Sequence, residues 1–221
     1  MTIEKIIKVS RKMGLGGVAI VDHNTIVGGL KGVSINKYDD FIVIPGSEIT
    51  TDKGDILGLF LNEDIKPQAA FEVVDAIRQQ GGVSILAHPY KRQKIDEELL
   101  RMVDGIEVFN ARSTAHKNRL AQNLADKYNL PATAGSDAHF YFEIGRSFCV
   151  VDSNVLDEEA IRKSILTKKS RIVGNEVNPF VEVLSQTVRI IKTREPKAVL
   201  HTPINFARAT YFMLKNIKGR F

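Results

Sequence analysis

Thr133-Ala134-Gly135-Ser136-Asp137-Ala138-His139 is the stretch that decides how this sequence is interpreted, because it places a carboxylate and an imidazole two positions apart. It overlaps the end of a predicted strand at 131–134. Residues i and i+2 of an extended segment project from the same face, so Asp137 and His139 can reach one metal ion or a bridged pair. Gly135 and Ala138 let the backbone turn sharply and leave room for an ion and a substrate. We therefore predict a metal-binding turn at the end of a strand.

The chain around this turn alternates between short apolar runs that end in polar residues and segments with helical periodicity. We predict strands at 17–21, 41–46, 55–60, 83–87, 105–109, 131–134 and 148–151, with 55–60 as a hairpin partner of the strand before it. We predict helices at 2–14, 67–80, 96–102, 115–128 and 157–167. This alternation indicates a parallel α/β architecture, and polar residues at successive strand ends favour a barrel with its chemistry at the C-terminal face. An open doubly wound sheet is the alternative, but no Gly-x-Gly-x-x-Gly turn opens a helix.

Several potential metal ligands stand just past the predicted strands. They are His23, Glu48, His88, Asp137 and His139. Imidazole and carboxylate together form a ligand set that suits zinc, manganese and iron(II). A carboxylate such as Glu48 could bridge two cations, and paired cations promote in-line displacement at phosphorus. The strand ends therefore predict a metal centre rather than isolated polar residues.

Five segments carry these residues: Ala19-Ile20-Val21-Asp22-His23-Asn24-Thr25, Pro45-Gly46-Ser47-Glu48-Ile49-Thr50, Ala87-His88-Pro89, Ile106-Glu107-Val108-Phe109-Asn110 and Gly135-Ser136-Asp137-Ala138-His139. In order and spacing they resemble motifs of the PHP family (polymerase and histidinol phosphatase domains). The resemblance implies an α/β fold, a distorted (β/α)7 TIM-like barrel, with two or three divalent metals (Zn, Mn or Fe) that hydrolyse phosphoesters. We expect this hydrolase domain over residues 1–174 and a helical C-terminal extension over 175–221.

The same resemblance assigns roles to individual residues. It implies that the metal ligands are His23, Glu48, His88, Asp137 and His139, and that Asp137 and His139 also assist proton transfer. Asp22 is interpreted as a residue that orients a ligand imidazole from behind. Asp55, where related sequences often have a histidine, is interpreted as solvent-facing or supporting.

Phosphate recognition needs fixed positive charge, and arginine supplies it best. Arg112 and Arg146 lie in predicted loops beside ligand strands, and Asn110 stands at a strand end, so these three are the predicted substrate-binding residues. Lys91 and Arg92 follow His88 on the same rim and are further candidates.

One motif of the resembled family has no counterpart in this sequence. Family members begin with a strand that carries His-x-His, and this chain contains no His-x-His. We expect that the first barrel strand and about three ligands are missing, through N-terminal truncation or degeneration. Each lost ligand would be replaced by water, so the sequence predicts weaker metal binding, and an inactive site is one expected consequence.

Composition limits the compartment and the partners. The 221 residues carry a formal net charge of +5 and one cysteine, Cys149, interpreted as a buried strand residue in a reducing compartment. No apolar run approaches the ~18 residues of a membrane span, so we expect a cytoplasmic protein without membrane contact. The positive charge favours an anionic partner, a phosphorylated small molecule or nucleotide, with nucleic acid as a further option. A homo-oligomer is compatible with these features.

Two other functions were weighed against phosphoester hydrolysis. The missing His-x-His and the basic C-terminal region fit a non-catalytic nucleic-acid-binding or assembly protein on a degenerate barrel. An amidohydrolase would typically add a lysine or its carbamate at a middle strand end, and none stands there. Metal-dependent phosphoester hydrolysis is the leading prediction.

Overall fold

The structure, a computed structural model, describes residues 1–91, 95–153 and 155–175, which contain eight strands, six α-helices and one short 3-10 helix (Tyr141–Glu143). The helices are α1 (Ile3–Lys12), α2 (Val27–Ile35), α3 (Ala70–Gln79), α4 (Glu97–Leu100), α5 (Ala115–Tyr128) and α6 (Glu158–Leu166). The strands are β1 (Gly17–His23), β2 (Ile42–Thr51), β3 (Gly54–Leu59), β4 (Val83–Leu86), β5 (Gly105–Asn110), β6 (Ala132–Gly135), β7 (Ser147–Val151) and β8 (Ser170–Gly174). Within these residues no helix is both long and apolar enough to cross a bilayer.

Six strands form one curled, mostly parallel sheet in the order β1-β2-β3-β4-β5-β6. The pairs β1/β2, β4/β5 and β5/β6 are parallel, whereas β3 runs antiparallel to both of its neighbours. The predicted hairpin between the second and third strands is therefore confirmed. Because β3 alone runs in the opposite direction, the other five strands all end at the same edge of the sheet.

The described strands do not form one seven-stranded sheet. Strands β7 and β8 pair with each other in a separate antiparallel sheet, next to β6. The α/β class and the mostly parallel order agree with the sequence, and the (β/α)7 barrel stays a prediction. The predicted C-terminal extension lies, from residue 176 onward, outside the described residues.

The core lies between the sheet and the helices that follow its strands. Strand β4 is buried along its whole length, as expected for a continuous apolar run covered on both faces. Helix α3 buries Val73, Val74 and Ile77 against the same core that receives Ile49 and Ile56 from the β2–β3 hairpin. The hairpin that supplies polar residues at the sheet edge is thus anchored by apolar ones.

Helix α2 was not predicted, because its glycine content obscures the helical pattern. It contains three glycines in nine residues, and glycine is a poor helix former. The structure gives the reason for two of them: a Cβ on Gly29 would lie 2.7 Å from Cα of Pro45, and one on Gly32 would lie 2.8 Å from a Val43 methyl. Close approach of α2 to β2 therefore requires the residues that mask the helix.

We expect Gly29→Ala to destabilise the protein although alanine favours a helix by about 1 kcal/mol. The new methyl group would push against the β2 backbone, and overpacking costs about 1–3 kcal/mol. Gly16→Ala is the matched control, since a Cβ there meets only Leu156 Cδ1 at 3.6 Å. Urea unfolding should show a lowered midpoint for Gly29→Ala alone, and equal midpoints would contradict the packing argument.

Candidate metal centre

The polar strand ends meet at one edge of the main sheet. Parallel pairing sets His23 of β1 opposite Glu48 of β2, and antiparallel pairing sets Thr50 of β2 opposite Asp55 at the start of β3. His88 follows β4, which ends at the same edge because it runs parallel to β2. One edge therefore collects side chains from successive strands, as parallel α/β architecture predicts.

Glu48, Asp55 and His88 form a compact group of potential metal donors. Each offers one ligand atom, and these atoms all lie within 4.8 Å of one another. Glu48 Oε1 lies 2.9 Å from His88 Nε2, and Glu48 Oε2 lies 3.8 Å from Nδ1 of the exposed His23. The two oxygens of Glu48 thus face two different imidazoles.

Glu48 is held in its ionised form. Burial is the largest influence on this carboxyl group and acts to raise its pKa. The hydrogen bond and positive charge of His88, together with the charge of His23, outweigh burial, so the pKa of Glu48 lies below its usual value. An anionic, largely desolvated oxygen pair is a suitable ligand for a divalent cation.

The imidazole of His88 is fixed before any ion arrives. His88 has a left-handed backbone conformation, with φ of 26°, and its backbone N–H donates to Glu107 Oε2 at 2.9 Å. Its Nδ1 is buried and has no hydrogen-bond partner in the described part of the chain. Nε2 is the ring nitrogen that faces Glu48. The mixed carboxylate and imidazole donors of the group fit a divalent transition metal.

Asp55 is the donor that the sequence interpretation missed. It is half-buried rather than solvent-facing, and its carboxylate belongs to the compact donor group. The signal was the predicted hairpin, because the register that pairs Glu48 with Leu57 also brings the start of β3 to the site edge.

Asp137 and His139 lie at the end of β6, outside the compact group of Glu48, Asp55 and His88. Asp137 Oδ2 accepts from Lys91 Nζ at 2.9 Å and from Asn110 Nδ2 at 3.3 Å. His139 is half-exposed, and its Nδ1 lies 3.5 Å from Asp137 Oδ1. The predicted pair is therefore brought together, but the five predicted ligands do not form one tight cluster.

Glu107 links the part of this edge that carries His88 to the part that carries Asp137. Its Oε2 accepts from the His88 backbone and from Asn110 Nδ2 at 3.1 Å, and Asn110 reaches Asp137 in turn. Burial raises the pKa of Glu107 to about 7; the positive charge of His88 opposes this and the negative charge of Asp137 adds to it. Gly135 makes room for the carboxylate, since a Cβ there would lie 2.5 Å from Glu107 Oε1. Gly135 thus accommodates a protein carboxylate, rather than the ion or substrate that we expected.

The predicted substrate-binding arginines have different surroundings. Arg146 is exposed, in the loop before β7. Arg112 is buried, with 6% of its side chain exposed, and donates from a guanidinium nitrogen to Glu143 Oε1 at 2.9 Å. Glu143 Oε2 accepts from the backbone of His139 at 2.7 Å and of Phe140 at 2.8 Å. Arg112 therefore stabilises the loop that carries His139, and its binding of substrate stays a prediction.

Asp22 lies on the exposed side of β1. Its carboxylate occupies the space where a Cβ on Gly28 would stand, at the start of α2. Among the described residues its side chain makes no hydrogen bond to a candidate ligand imidazole. Its predicted role as an orienting residue has no contact to support it.

We expect Arg112→Ala to destabilise the fold by about 3 kcal/mol or more, because it leaves a fully buried Glu143 carboxylate without its cation. Arg11→Ala is the control: Arg11 pairs with Asp40 at 2.8 Å on the surface, where such pairs contribute about 0–1 kcal/mol. Chemical unfolding of both variants measures the difference. Similar losses in the two would show that Arg112 does not stabilise the His139 loop.

This chain is similar in sequence to several known proteins. A family profile described as PHP-associated matches residues 115–170. The uncharacterized protein MJ1587 of Methanocaldococcus jannaschii is 42% identical over 124 residues, which cover 54% of this chain and 71% of that protein. A 5'-3' exoribonuclease of Haemophilus influenzae is 25% identical over 91 residues, which cover 36% of this chain and 33% of that enzyme.

A solved structure shares the fold. The crystal structure of a two-domain protein from Bacteroides vulgatus, containing a predicted PHP-like metal-dependent phosphoesterase, aligns with a TM-score of 0.62 at 16% identity. The alignment covers 77% of this chain and 60% of that one, so this chain spans less than two thirds of its length. This chain therefore belongs to the same family as the uncharacterized protein MJ1587, and both its profile match and its fold are PHP-like.

Proposed function

We propose that this protein hydrolyses phosphoesters with divalent metal ions bound at the carboxyl edge of its main sheet. The observation that carries the proposal is the compact donor group of Glu48, Asp55 and His88. Such an arrangement is costly for an edge that binds nothing, because it brings two carboxylates together in a partly buried place. The likeness to PHP proteins gives the donor group its chemical context.

Glu48, Asp55 and His88 would hold one ion, and His23, Asp137 and His139 would complete further positions. The proposal includes the seven-stranded barrel and the two or three ions, drawn from Zn, Mn and Fe, that the family resemblance implies. Divalent cations in such a site withdraw charge from a phosphoester and acidify an attacking water. Glu107 and Asn110 keep His88 and Asp137 in place by the hydrogen bonds described above.

The proposed substrate is a phosphorylated small molecule or a nucleotide. The exposed Arg146 would contact it, and His139 has the exposure needed to exchange a proton with substrate or solvent. Asn110 is 1% exposed, so it would act on substrate through Asp137, to which its amide donates. The similarity to an exoribonuclease over a third of that enzyme favours a nucleotide or an oligonucleotide end. A non-catalytic nucleic-acid-binding role is less well supported, because it leaves the buried donor group without a purpose.

Metal binding tests the centre directly. We expect the purified chain to bind Mn²⁺, and His88→Ala to weaken the affinity by at least about tenfold through loss of a fixed donor. His116→Ala is the matched control, since His116 is exposed on α5 and is not part of the donor group. Isothermal titration measures both affinities. Equal binding by wild type and His88→Ala would contradict the assignment.

Hydrolysis tests the function. With Mn²⁺ supplied, we expect release of phosphate from p-nitrophenyl phosphate, from AMP or from a short oligonucleotide. Glu48→Gln should lower kcat/KM by about 100-fold or more, because it removes the anionic charge that two imidazoles face. Phosphate release or new oligonucleotide ends are the readout. A metal-loaded chain that hydrolyses none of the three classes would contradict the proposal.

A further inference from the structure

Lys91 is carried into the site by a turn that starts at a candidate metal ligand. Its backbone N–H donates to the carbonyl of His88 at 2.9 Å, closing a turn with Pro89 and Tyr90 in the middle. Proline favours the second position of such turns, and Tyr90 packs against the main core. The base of the Lys91 side chain is therefore fixed relative to His88.

The ammonium group of Lys91 already occupies part of the proposed site. It donates to Asp137 Oδ2 at 2.9 Å, and the exposed fractions of the two side chains are only 19% and 15%. The same oxygen accepts from Asn110, so it carries two donors. Burial is the largest influence on Asp137 and would raise its pKa, but the charge and hydrogen bond of Lys91 outweigh it, and the pKa is lowered. Asp137 is thus an anion whose main counter-charge is Lys91.

From this geometry we infer that Lys91 is an internal cation that competes with the metal for Asp137 and binds the substrate phosphate once the metal has displaced it. The inference rests on the proposed function and deepens it, since it gives Lys91 a positioning role before substrate arrives and a binding role afterwards. It also sets an order, with metal first and phosphate second.

The competition follows from charge. An ammonium and a dication cannot both hold the same carboxylate oxygen without strong repulsion in a poorly solvated place. Lysine is suited to exchange partners, because its compact charge sits on a flexible four-carbon stem and binds phosphate as a point charge. The ammonium released from Asp137 needs a new anion in a site only partly open to water, and a phosphate dianion would supply it.

Mn²⁺ titration tests the competition without turnover. Lys91→Met should bind Mn²⁺ about tenfold more tightly than wild type, while Lys91→Arg, which keeps the charge, should stay close to wild type. Lys53→Met is the matched control, because it removes the lysine of another half-buried pair, Lys53–Asp96, which includes none of the candidate metal donors. Electron paramagnetic resonance of free Mn²⁺ reports the affinity, thermal unfolding verifies folding, and Lys91→Gln serves if Lys91→Met unfolds. Unchanged or weaker Mn²⁺ binding by a folded neutral variant overturns the inference, since a merely structural lysine would give that result.

Phosphate binding tests the second step. Wild type should bind inorganic phosphate more tightly when saturated with Mn²⁺ than without it, and Lys91→Met should lose about tenfold in phosphate affinity in the Mn²⁺-saturated state. Equal phosphate affinity in wild type and Lys91→Met overturns the binding role. Neither titration depends on hydrolysis, so a wild type that shows both effects but cleaves no ester refutes the proposed function and leaves this inference standing.

Discussion

The site depends on the buried carboxylate of Glu107. Glu107 lies within β5, and its Oε2 accepts from the backbone N–H of His88, beyond β4, and from the amide of Asn110. The same amide reaches Asp137, beyond β6. Hydrogen bonds to one buried acceptor therefore link the ends of β4 and β5 directly, and the end of β6 through Asn110. A buried carboxylate is costly unless it accepts hydrogen bonds, and the bond it accepts from the His88 backbone stabilises the left-handed conformation of that residue. The rigidity of the candidate donors is thus a consequence of burying a charge-bearing group behind them.

Two kinds of support surround the candidate ligands, and they differ in chemistry. On the β4–β5 side, support comes from Glu107 and its hydrogen bonds to neighbouring strands. On the β6 side, it comes from the buried pair of Arg112 and Glu143. Glu143 accepts hydrogen bonds from the backbone N–H groups of His139 and Phe140. The first is local to the sheet edge, whereas the second joins residues 31 positions apart. Both fix backbone amides, while the half-exposed imidazole of His139 is held by its own contact with the Asp137 carbonyl at 2.9 Å.

Sequence reasoning reached the alternation of strands and helices, the β2–β3 hairpin, and a shared edge for the polar strand ends, because these follow from apolar periodicity and strand direction. It missed α2, whose glycines are needed for contact with β2 and erase the helical signal. It missed the proximity of Asp55, which depends on hairpin register, and the role of Glu107, which looks like any polar residue in a strand. It did not reveal that Arg112 is buried against Glu143, because that pairing is made by the fold and leaves no local pattern in the sequence.

The length of the hairpin turn between β2 and β3 determines which side chains of β3 face the site. Only Asp52 and Lys53 separate the two strands, and the turn is pinned by Thr51, whose hydroxyl donates to the Gly54 carbonyl, and by Asp52, whose carboxylate accepts from the start of α3. Side chains alternate between the faces of a strand, so a one-residue slip would turn Asp55 to the opposite face while leaving every candidate ligand in the sequence. An insertion or deletion that shifts this register would therefore remove Asp55 from the donor group without any substitution among the donors themselves.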